Sequence, residues 1–251
     1  MASGALSGKT AAITGGGSGI GAAIARALAA EGAKVILLGR RREPLEAVAG
    51  ETGGSALVCD VTDGSAISAV TGELAKADIL VNNAGGVSTA PFDKTSPQEL
   101  RRLLELNLVS AWAMTQAVLP GMRERGWGRI VNVASTAALK GYPYVSAYVA
   151  AKHGLLGMTR ALALELAKTG ITVNALCPGY SDTDLIGDAA AKVAEKTGKS
   201  IEAIKQDFAA GNPQGRLIQP EEVASAALWL TGAGSGAITG QAVAIAGGEV
   251  M

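Results

Sequence analysis

Short apolar runs alternate with longer stretches of helical periodicity along almost the whole chain. Seven short apolar runs predict strands: Thr10–Thr14, Lys34–Leu38, Ala56–Cys59, Ile79–Asn82, Arg129–Ala134, Thr172–Leu176 and Gln241–Ile245. Six intervening segments predict helices: Gly19–Glu31, Glu43–Glu51, Asp63–Leu74, Gln98–Arg125, Ala147–Thr169 and Glu221–Leu230. This alternation is typical of βαβ units, and it predicts an α/β fold with a parallel sheet covered by helices on both faces.

One segment interrupts the alternation. Residues 180–216 are polar and rich in Ala and Lys, and they separate two strand signals that elsewhere lie closer together. An insertion at the carboxyl end of a strand in an open α/β sheet lies where ligands bind. We expect one or two short helices forming a mobile substrate lid, with a surface hairpin of no such role as the alternative. No linker or repeat divides the chain, which predicts one domain over residues 1–251.

Composition narrows the classes of protein. The chain of 251 residues balances 22 basic against 22 acidic residues, so no overall field recruits nucleic acid or an anionic membrane. Cys59 and Cys177 each end an apolar run, and we expect buried free thiols of a reducing cytoplasm. The first nine residues lack a signal-peptide core, and no apolar run approaches the roughly 18 residues that span a bilayer. We therefore expect a soluble cytoplasmic protein.

A glycine-rich turn follows the first predicted strand and opens a helix. Its sequence is Thr14-Gly15-Gly16-Gly17-Ser18-Gly19-Ile20-Gly21. Glycines let backbone amides approach a pyrophosphate, which then lies at the positive end of the helix. In the first βα turn this pattern predicts a dinucleotide site in a Rossmann-like, doubly wound sheet of about seven strands. The expected contacts are Gly15, Gly17, Ser18, Gly19, Ile20 and Gly21.

The end of the second strand bears on which dinucleotide binds. A carboxylate there would bind the ribose hydroxyl of NAD, whereas arginine accommodates the 2′-phosphate of NADP. The chain has Leu38-Gly39-Arg40-Arg41-Arg42 at this point, without a carboxylate. Because guanidinium groups bind phosphate in a fork, we predict NADP(H), held by Arg40 and Arg41. NAD(H) stays open, as does the interpretation that these arginines only begin a solvated helix.

Tyr148 and Lys152 are spaced so that one helical turn separates them on one face. An ammonium beside a phenol stabilises phenolate and lowers the tyrosine pKa towards the working range. Ser135 lies thirteen residues upstream of Tyr148. A lone Tyr-x-x-x-Lys pair is more often a surface tyrosine and a solvated lysine. Whether this pair is catalytic therefore depends on the other motifs in the chain.

Together these motifs resemble the short-chain dehydrogenase/reductase family in its compact single-domain form, over essentially the whole chain. The residues that carry the resemblance are Thr14-Gly15, Gly19-Ile20-Gly21, Asn82-Asn83-Ala84-Gly85, Asn107, Ser135, Tyr148, Lys152 and Pro178-Gly179. The runs Arg129–Ser135, Ala151–Gly154 and Gly170–Asn174 are most similar to those of 3-ketoacyl-thioester and polyketide ketoreductases.

The resemblance implies roles for individual residues. Tyr148 would exchange the proton with the carbonyl oxygen, Ser135 would hold that oxygen, and Lys152 would lower the tyrosine pKa and bind the nicotinamide ribose. Asn107 would support a water chain that leads protons to Lys152. Further cofactor contacts would be Asp60 and Val61 at the adenine, Asn83 and Gly85 along the ribose and nicotinamide, and Pro178, Gly179 and Thr183 beyond them. Two positions depart from the family pattern, namely Ser181, where an aliphatic residue is frequent, and Ser18, where NADP-dependent members frequently carry a basic one.

Other candidate residues give weaker evidence for a functional role. His153 follows Lys152 directly, points about 100° away from the Tyr148 face, and belongs to no cluster with metal-ligand spacing, so we expect no metal site. Lys140, Tyr142 and Tyr144 follow Ser135 on a predicted loop that either shapes specificity or is plain surface. Lid lysines and a following arginine suit thioester phosphates or a solvated helix face: Lys192, Lys196, Lys199, Lys205 and Arg216.

The sequence thus predicts an NADPH-dependent reductase (EC 1.1.1.-) of a ketone such as a 3-oxoacyl thioester of coenzyme A or a carrier protein. The alternatives are an NAD(P)-dependent dehydrogenase of a secondary alcohol, hydroxysteroid or sugar, and a non-catalytic dinucleotide-binding regulator. Nucleic acid and membrane partners are not expected. Apolar residues on several faces of the helices at 98–125 and 147–169 predict a homotetramer, as in the family, or else a dimer.

Overall fold

The computed structural model describes residues 4–251. The strands are β1 (Thr10–Thr14), β2 (Lys34–Gly39), β3 (Ser55–Val58), β4 (Ile79–Asn82), β5 (Gly128–Val133), β6 (Ile171–Pro178) and β7 (Ala242–Ile245). The α-helices are α1 (Gly19–Ala30), α2 (Arg42–Thr52), α3 (Gly64–Leu74), α4 (Pro97–Leu104), α5 (Ser110–Arg125), α6 (Ser146–Leu166), α7 (Asp184–Thr197), α8 (Ile201–Ala209) and α9 (Pro220–Thr231).

The strands form one seven-stranded sheet in the order β3-β2-β1-β4-β5-β6-β7. Every neighbouring pair is parallel. Strand order reverses between β1 and β4, and in open α/β sheets ligands bind beyond the carboxyl ends of the strands at such a point. The prediction of a Rossmann-like, doubly wound parallel sheet is confirmed.

Two hydrophobic cores cover the two faces of the sheet. On one face, Ile13, Val81 and Val131 pack with residues of α1, α2 and α9. On the other, their chain neighbours Ala12, Leu80 and Ile130 pack with residues of α3, α5 and α6. Because successive strand residues face opposite sides, a strand buried on both faces is apolar throughout. The apolar runs that are buried throughout are therefore central strands, whereas the edge strands β3 and β7 are partly exposed.

The fourth predicted helix is not continuous. The sequence predicts one helix over Gln98–Arg125, but α4 and α5 are separated by a π-helical segment, Glu105–Val109. The Asn107 side-chain amide donates to the Leu103 carbonyl (3.0 Å), which is the acceptor that the Asn107 backbone N–H would use in an α-helix. A side chain inserted into the backbone ladder in this way widens the turn.

The segment between β6 and α9 contains two helices, α7 and α8, in agreement with the expectation of one or two. Ser181 and Ile218 form a parallel bridge that closes the base of this segment. Within residues 4–251, no helix is both long and apolar enough to cross a bilayer. Cys59 and Cys177 are buried and free, as expected.

Candidate active site

A cavity of about 570 Å³ lies at the carboxyl ends of the strands, beside the point where the strand order reverses. Its wall contains the four predicted catalytic residues, Asn107, Ser135, Tyr148 and Lys152. It also contains these predicted cofactor contacts: Gly15, Ser18, Gly19, Ile20, Arg40, Arg41, Asp60, Val61, Asn83, Gly85, Pro178, Gly179 and Thr183. The topology thus brings residues from positions 15 to 183 to one site.

Gly17 and Gly21 do not line this cavity, and their contact with the cofactor stays a prediction. A Cβ on Gly21 would lie 2.3 Å from the Gly15 carbonyl oxygen, and one on Gly17 would lie 3.1 Å from the backbone nitrogen of Leu45. The contact at Gly21 excludes a side chain, and the one at Gly17 would require α2 to shift by a few tenths of an ångström. Both glycines therefore serve the packing of the turn against α1 and α2, and Gly15, with φ +64, serves the bend itself.

Two arginines face the cavity at the tip of β2. Arg40 and Arg41 are exposed and line the wall, and neither forms an ion pair within residues 4–251. The next residue, Arg42, is paired with Glu46 at 3.2 Å. This end of the cavity therefore offers two guanidinium groups to an anion.

Asp60 occupies the same end of the cavity, after β3. Its carboxylate accepts hydrogen bonds from the backbone N–H (3.0 Å) and hydroxyl (2.7 Å) of Thr62. These bonds lower the pKa of Asp60, and the Arg40 charge adds to the effect. The carboxylate is therefore held ionised and fixed in orientation.

The loop after β4 is held to both neighbouring elements. The Thr14 hydroxyl accepts from the backbone N–H groups of Asn83 (3.0 Å) and Ala84 (2.9 Å) at the end of β1. Asn107 clamps Gly86, accepting from its N–H at 3.1 Å and donating to its carbonyl at 2.9 Å. A Cβ on Gly85 would lie 2.8 Å from the Asn107 side-chain oxygen, so glycine is required there. The π-helical turn thus positions the cavity floor, while the water chain at Asn107 stays a prediction.

Lys152 lies on α6 and points into the end of the sheet. Its side chain is 4% exposed, and Nζ donates to the Val133 carbonyl at 2.8 Å. Burial lowers the pKa of Lys152 to about 8. The ammonium lies 5.7 Å from the centroid of the Tyr148 ring, so the predicted Tyr-Lys pair shares one helix face.

Tyr148 departs from the expected electrostatics. Burial raises the pKa of its phenol, and a hydrogen bond with Ser135, rather than the Lys152 charge, is the main opposing influence. The sequence predicted that Lys152 lowers this pKa. A raised pKa keeps the phenol protonated at neutral pH, which is the form that can donate a proton to a carbonyl oxygen.

Ser135 follows β5 and caps a short 3₁₀ turn. Its hydroxyl oxygen accepts from the Ala137 backbone N–H at 3.1 Å, which fixes the side chain at the cavity wall beside Tyr148. The hydroxyl hydrogen can then point into the cavity. The constellation offers a phenol and a hydroxyl to one oxygen atom, with an ammonium behind them.

The family model for short chain dehydrogenases matches residues 9–194. The chain belongs to this short-chain dehydrogenase family. As a member it is an oxidoreductase that acts on CH–OH and C=O groups.

Relatives in this family cover the chain almost from end to end. The D-beta-hydroxybutyrate dehydrogenase of Rhizobium meliloti is 40% identical over 96% of this chain and 98% of its own length. The acetoacetyl-CoA reductase of the same organism is also 40% identical, over 96% and 98%. A solved structure of a variant of actinorhodin polyketide ketoreductase with NADPH has a TM-score of 0.91 and 37% identity, over 96% of this chain and 97% of that one.

Several candidates outside the short-chain dehydrogenase motifs prove structural. His153 is exposed, and its Nδ1 lies 3.0 Å from the Val149 carbonyl oxygen of its own helix. Lys199 pairs with Asp207, Lys205 with Asp182 and Arg216 with Glu222, which favours the solvated-face interpretation of the lid lysines. The side chain of Lys196 lies outside what the structure describes. In the part of the chain that is described, no group of three His, Cys, Asp or Glu side chains is placed to hold a metal.

Residues of the expected lid segment at 180–216 and of the loop after Ser135 also line the cavity, although the sequence singled out only Tyr142 among them. Leu185 and Ile186 of α7, with Tyr180, Val145 and Tyr142, line the same cavity as Tyr148. Tyr180 stacks on Phe208 of α8, with centroids 5.2 Å apart. These positions carry no motif, and only their place after β6 and after Ser135 could have indicated them.

Because the Lys152 ammonium is buried, we predict that its contribution to the free energy of unfolding depends on pH. Since burial lowers the pKa of Lys152 from 10.5 to about 8, the folded state bears the full cost of the buried charge below pH 8. That cost disappears as the pH rises from about 8 to about 10.5. Lys152→Met removes the buried charge, so we expect its gain in free energy of unfolding over wild type to be largest near pH 7. This gain should shrink by about 1–3 kcal/mol between about pH 8 and about pH 10.5.

Urea unfolding followed by fluorescence at several pH values measures this difference. Lys168→Met changes an exposed lysine near the end of the same helix region, and its difference from wild type should stay constant with pH. An equally flat profile for Lys152→Met would show that the ammonium carries no burial cost.

Proposed function

We propose that the protein is an NADPH-dependent ketone reductase whose substrate is a 3-oxoacyl thioester or a related keto compound. The observation that carries the proposal is the convergence of Ser135, Tyr148 and Lys152 in one cavity that continues to Arg40 and Arg41. The first three residues can polarise and protonate a carbonyl oxygen, and the last two can bind a phosphate monoester. Reduction of a ketone by a phosphorylated nicotinamide cofactor needs both groups of residues, one at the carbonyl and one at the phosphate.

The chain's own residues would act on the carbonyl oxygen. When bound, NADPH supplies a hydride to the carbonyl carbon. The Ser135 hydroxyl would donate a hydrogen bond to the carbonyl oxygen and fix its position. Tyr148, neutral because burial raises its pKa, would transfer its proton to the same oxygen as negative charge develops there. The Lys152 ammonium would then stabilise the phenolate that remains.

The residues present fit the cofactor. Glycine at positions 15, 19 and 85 lines the cavity without a side chain, so the backbone there would be open to a dinucleotide. The exposed guanidinium groups of Arg40 and Arg41 favour NADP(H) over NAD(H), which stays the weaker candidate. A similar structure that contains NADPH supports the same choice.

A dehydrogenase of a secondary alcohol is the second candidate. The chemistry is reversible, and a relative that is 40% identical is named a D-beta-hydroxybutyrate dehydrogenase. The two candidates differ in the preferred reaction. Oxidation of 3-hydroxybutyrate with NAD⁺ that exceeds reduction of ethyl acetoacetate with NADPH, compared as kcat/KM, would favour the dehydrogenase.

We also propose a homotetramer, in a cytoplasmic setting that suits the two free thiols. Trp112 of α5 is 54% exposed, and Leu164 of α6 is 81% exposed. Trp229 of α9, beside the last strand, is 54% exposed. Large exposed apolar side chains on helices that already cover the sheet indicate contact with further subunits.

Replacement of Tyr148 by Phe tests the chemistry. Because the variant lacks the proton donor, we expect kcat for ethyl acetoacetate reduction to fall by about 10²–10⁴-fold. NADPH binding, followed by fluorescence, should change little. Tyr144→Phe is the matched control, since Tyr144 is 62% exposed and its hydroxyl does not line the cavity. Near-normal turnover in Tyr148→Phe would refute the assigned role.

The double variant Arg40→Ala/Arg41→Ala tests the cofactor preference. Loss of both guanidinium groups should weaken NADPH binding by about 10–100-fold, because charge-assisted bonds to the 2′-phosphate are lost. NADH binding should change by less than about threefold. Arg42→Ala removes an arginine that is paired with Glu46 and serves as the control. Equal losses for the two cofactors would contradict a phosphate-binding role.

Light scattering tests the assembly. The wild-type chain of 25.1 kDa should give a particle about four times that mass, whereas Trp112→Glu/Leu164→Glu should give a smaller one, because charges cannot be buried in an apolar interface. Lys168→Glu, a charge change at an exposed lysine, is the control. A wild-type particle with the mass of one chain would end the proposal.

A further inference from the structure

A second group of polar side chains lies beside the catalytic residues. It comprises Thr136, Lys140, Tyr142 and Glu249, which we call the Glu249 cluster. The Glu249 carboxylate is only 5% exposed, accepts a hydrogen bond from the Tyr142 hydroxyl and pairs with the Lys140 ammonium at 3.1 Å. The Tyr142 oxygen in turn accepts from the Thr136 hydroxyl at 2.7 Å. The cluster connects the loop after β5 to the C-terminal segment after β7.

The carboxylate stands directly behind the cavity wall. Tyr142, Thr136 and Gly179 line the cavity that contains Tyr148. One oxygen of Glu249 binds Tyr142, and a Cβ on Gly179 would lie 3.0 Å from the other. Glu249 therefore places its charge behind two wall segments, the ring of Tyr142 and the backbone of Gly179. Its own side chain does not line the wall.

This part of the cavity has no available cation among the described residues. Of the basic residues in the wall, Arg40 and Arg41 lie at the tip of β2, and Lys152 is buried against Val133. Lys140 is the cation nearest to Tyr142, with Nζ 4.9 Å from the ring centroid, but its charge is engaged by Glu249. A carboxylate on the substrate would lose its hydration without gaining a free cation, and the buried member of the ion pair behind the wall is the Glu249 carboxylate, since the Lys140 side chain is 40% exposed.

Apart from Asp184, the wall residues that come from the loop after Ser135 and from the segment after β6 are uncharged. They include Val145, Tyr180, Leu185 and Ile186 together with Tyr142. Burial raises the pKa values of Tyr142 and Tyr180, so both phenols are neutral. Such a wall suits an uncharged acyl derivative, whose carbonyl and alkyl groups lose little on leaving water.

We propose that Glu249 determines specificity by excluding free 3-oxo acids and selecting 3-oxo substrates whose acyl group is a neutral thioester, ester or amide. It does so by placing a negative charge behind Tyr142 and Gly179 and by engaging Lys140. The inference rests on the proposed ketone reductase function and specifies its substrate class. It separates two chemistries that both occur in the names of similar proteins, a free hydroxy acid and a coenzyme A thioester.

Acetoacetate and acetoacetamide test the proposal on the wild-type enzyme, because they have nearly the same shape and differ in charge. With NADPH, kcat/KM for acetoacetamide should exceed that for acetoacetate by about a hundredfold, since like charges across a binding site cost several kcal/mol. Equal values, or a preference for acetoacetate, would overturn the role of Glu249 while leaving ketone reduction intact. Failure to reduce acetoacetate, acetoacetamide and ethyl acetoacetate alike would instead refute the proposed function, and this inference with it.

The variant Glu249→Gln tests whether Glu249 is the residue that causes the discrimination against acetoacetate. The amide keeps the size of the side chain and an oxygen that can accept from Tyr142, but it releases the Lys140 ammonium beside the cavity. The ratio of kcat/KM for acetoacetate to that for acetoacetamide should rise by at least about tenfold. In Glu249→Gln/Lys140→Met, which has neither charge, the rise should be smaller than in the single variant.

Glu73→Gln removes a carboxylate that pairs with Lys76 on the surface, and it should leave the ratio unchanged. If Glu249→Gln does not fold, the wild-type ratio of kcat/KM for acetoacetamide to that for acetoacetate still tests the proposal. A ratio in folded Glu249→Gln equal to that of wild type would contradict the proposal.

Discussion

The Lys152 ammonium lies almost out of contact with water at the end of β5, where Nζ donates to the Val133 carbonyl. Within residues 4–251 no carboxylate is paired with it, although a buried cation without a counter-charge costs several kcal/mol. The stabilisation that comes from the sheet and its two apolar cores must offset the free-energy cost of burying this charge. Much of the surrounding structure follows from this constraint, because α6 must hold the lysine in place and Gly85 must leave room for Asn107 beside it.

The sequence predicts the strands well for a physical reason. Strands buried on both faces are apolar throughout, so their runs stand out, and observed bounds differ from predicted ones by at most two residues at nearly every end. The proposed catalytic residues stand out in the sequence because their spacing is local or fits a known family, and the structure brings them to one cavity. The break in the fourth helix is not predictable in this way, since the pattern there is helical throughout. The π-helical turn depends on Asn107 binding the distant Gly86.

The direction of the Tyr148 pKa shows a second limit. Four-residue spacing reveals that Lys152 and Tyr148 share a helix face, but it does not reveal how far the phenol is removed from water. Burial proves to be the larger influence and raises the pKa. Gly17 and Gly21 are a parallel case, because the motif identifies them and only the packing shows that they support the turn rather than line the cavity.

The two halves of the cavity are built differently. The proposed catalytic residues Ser135, Tyr148 and Lys152 come from the end of a central strand and from α6, whose positions the sheet and its cores fix. Other wall residues come from the loop at Tyr142 and from α7, with Glu249 of the C-terminal segment behind them; none of these positions lies in a strand among residues 4–251. Substitutions in these segments can change charge and shape without moving Ser135 or Tyr148.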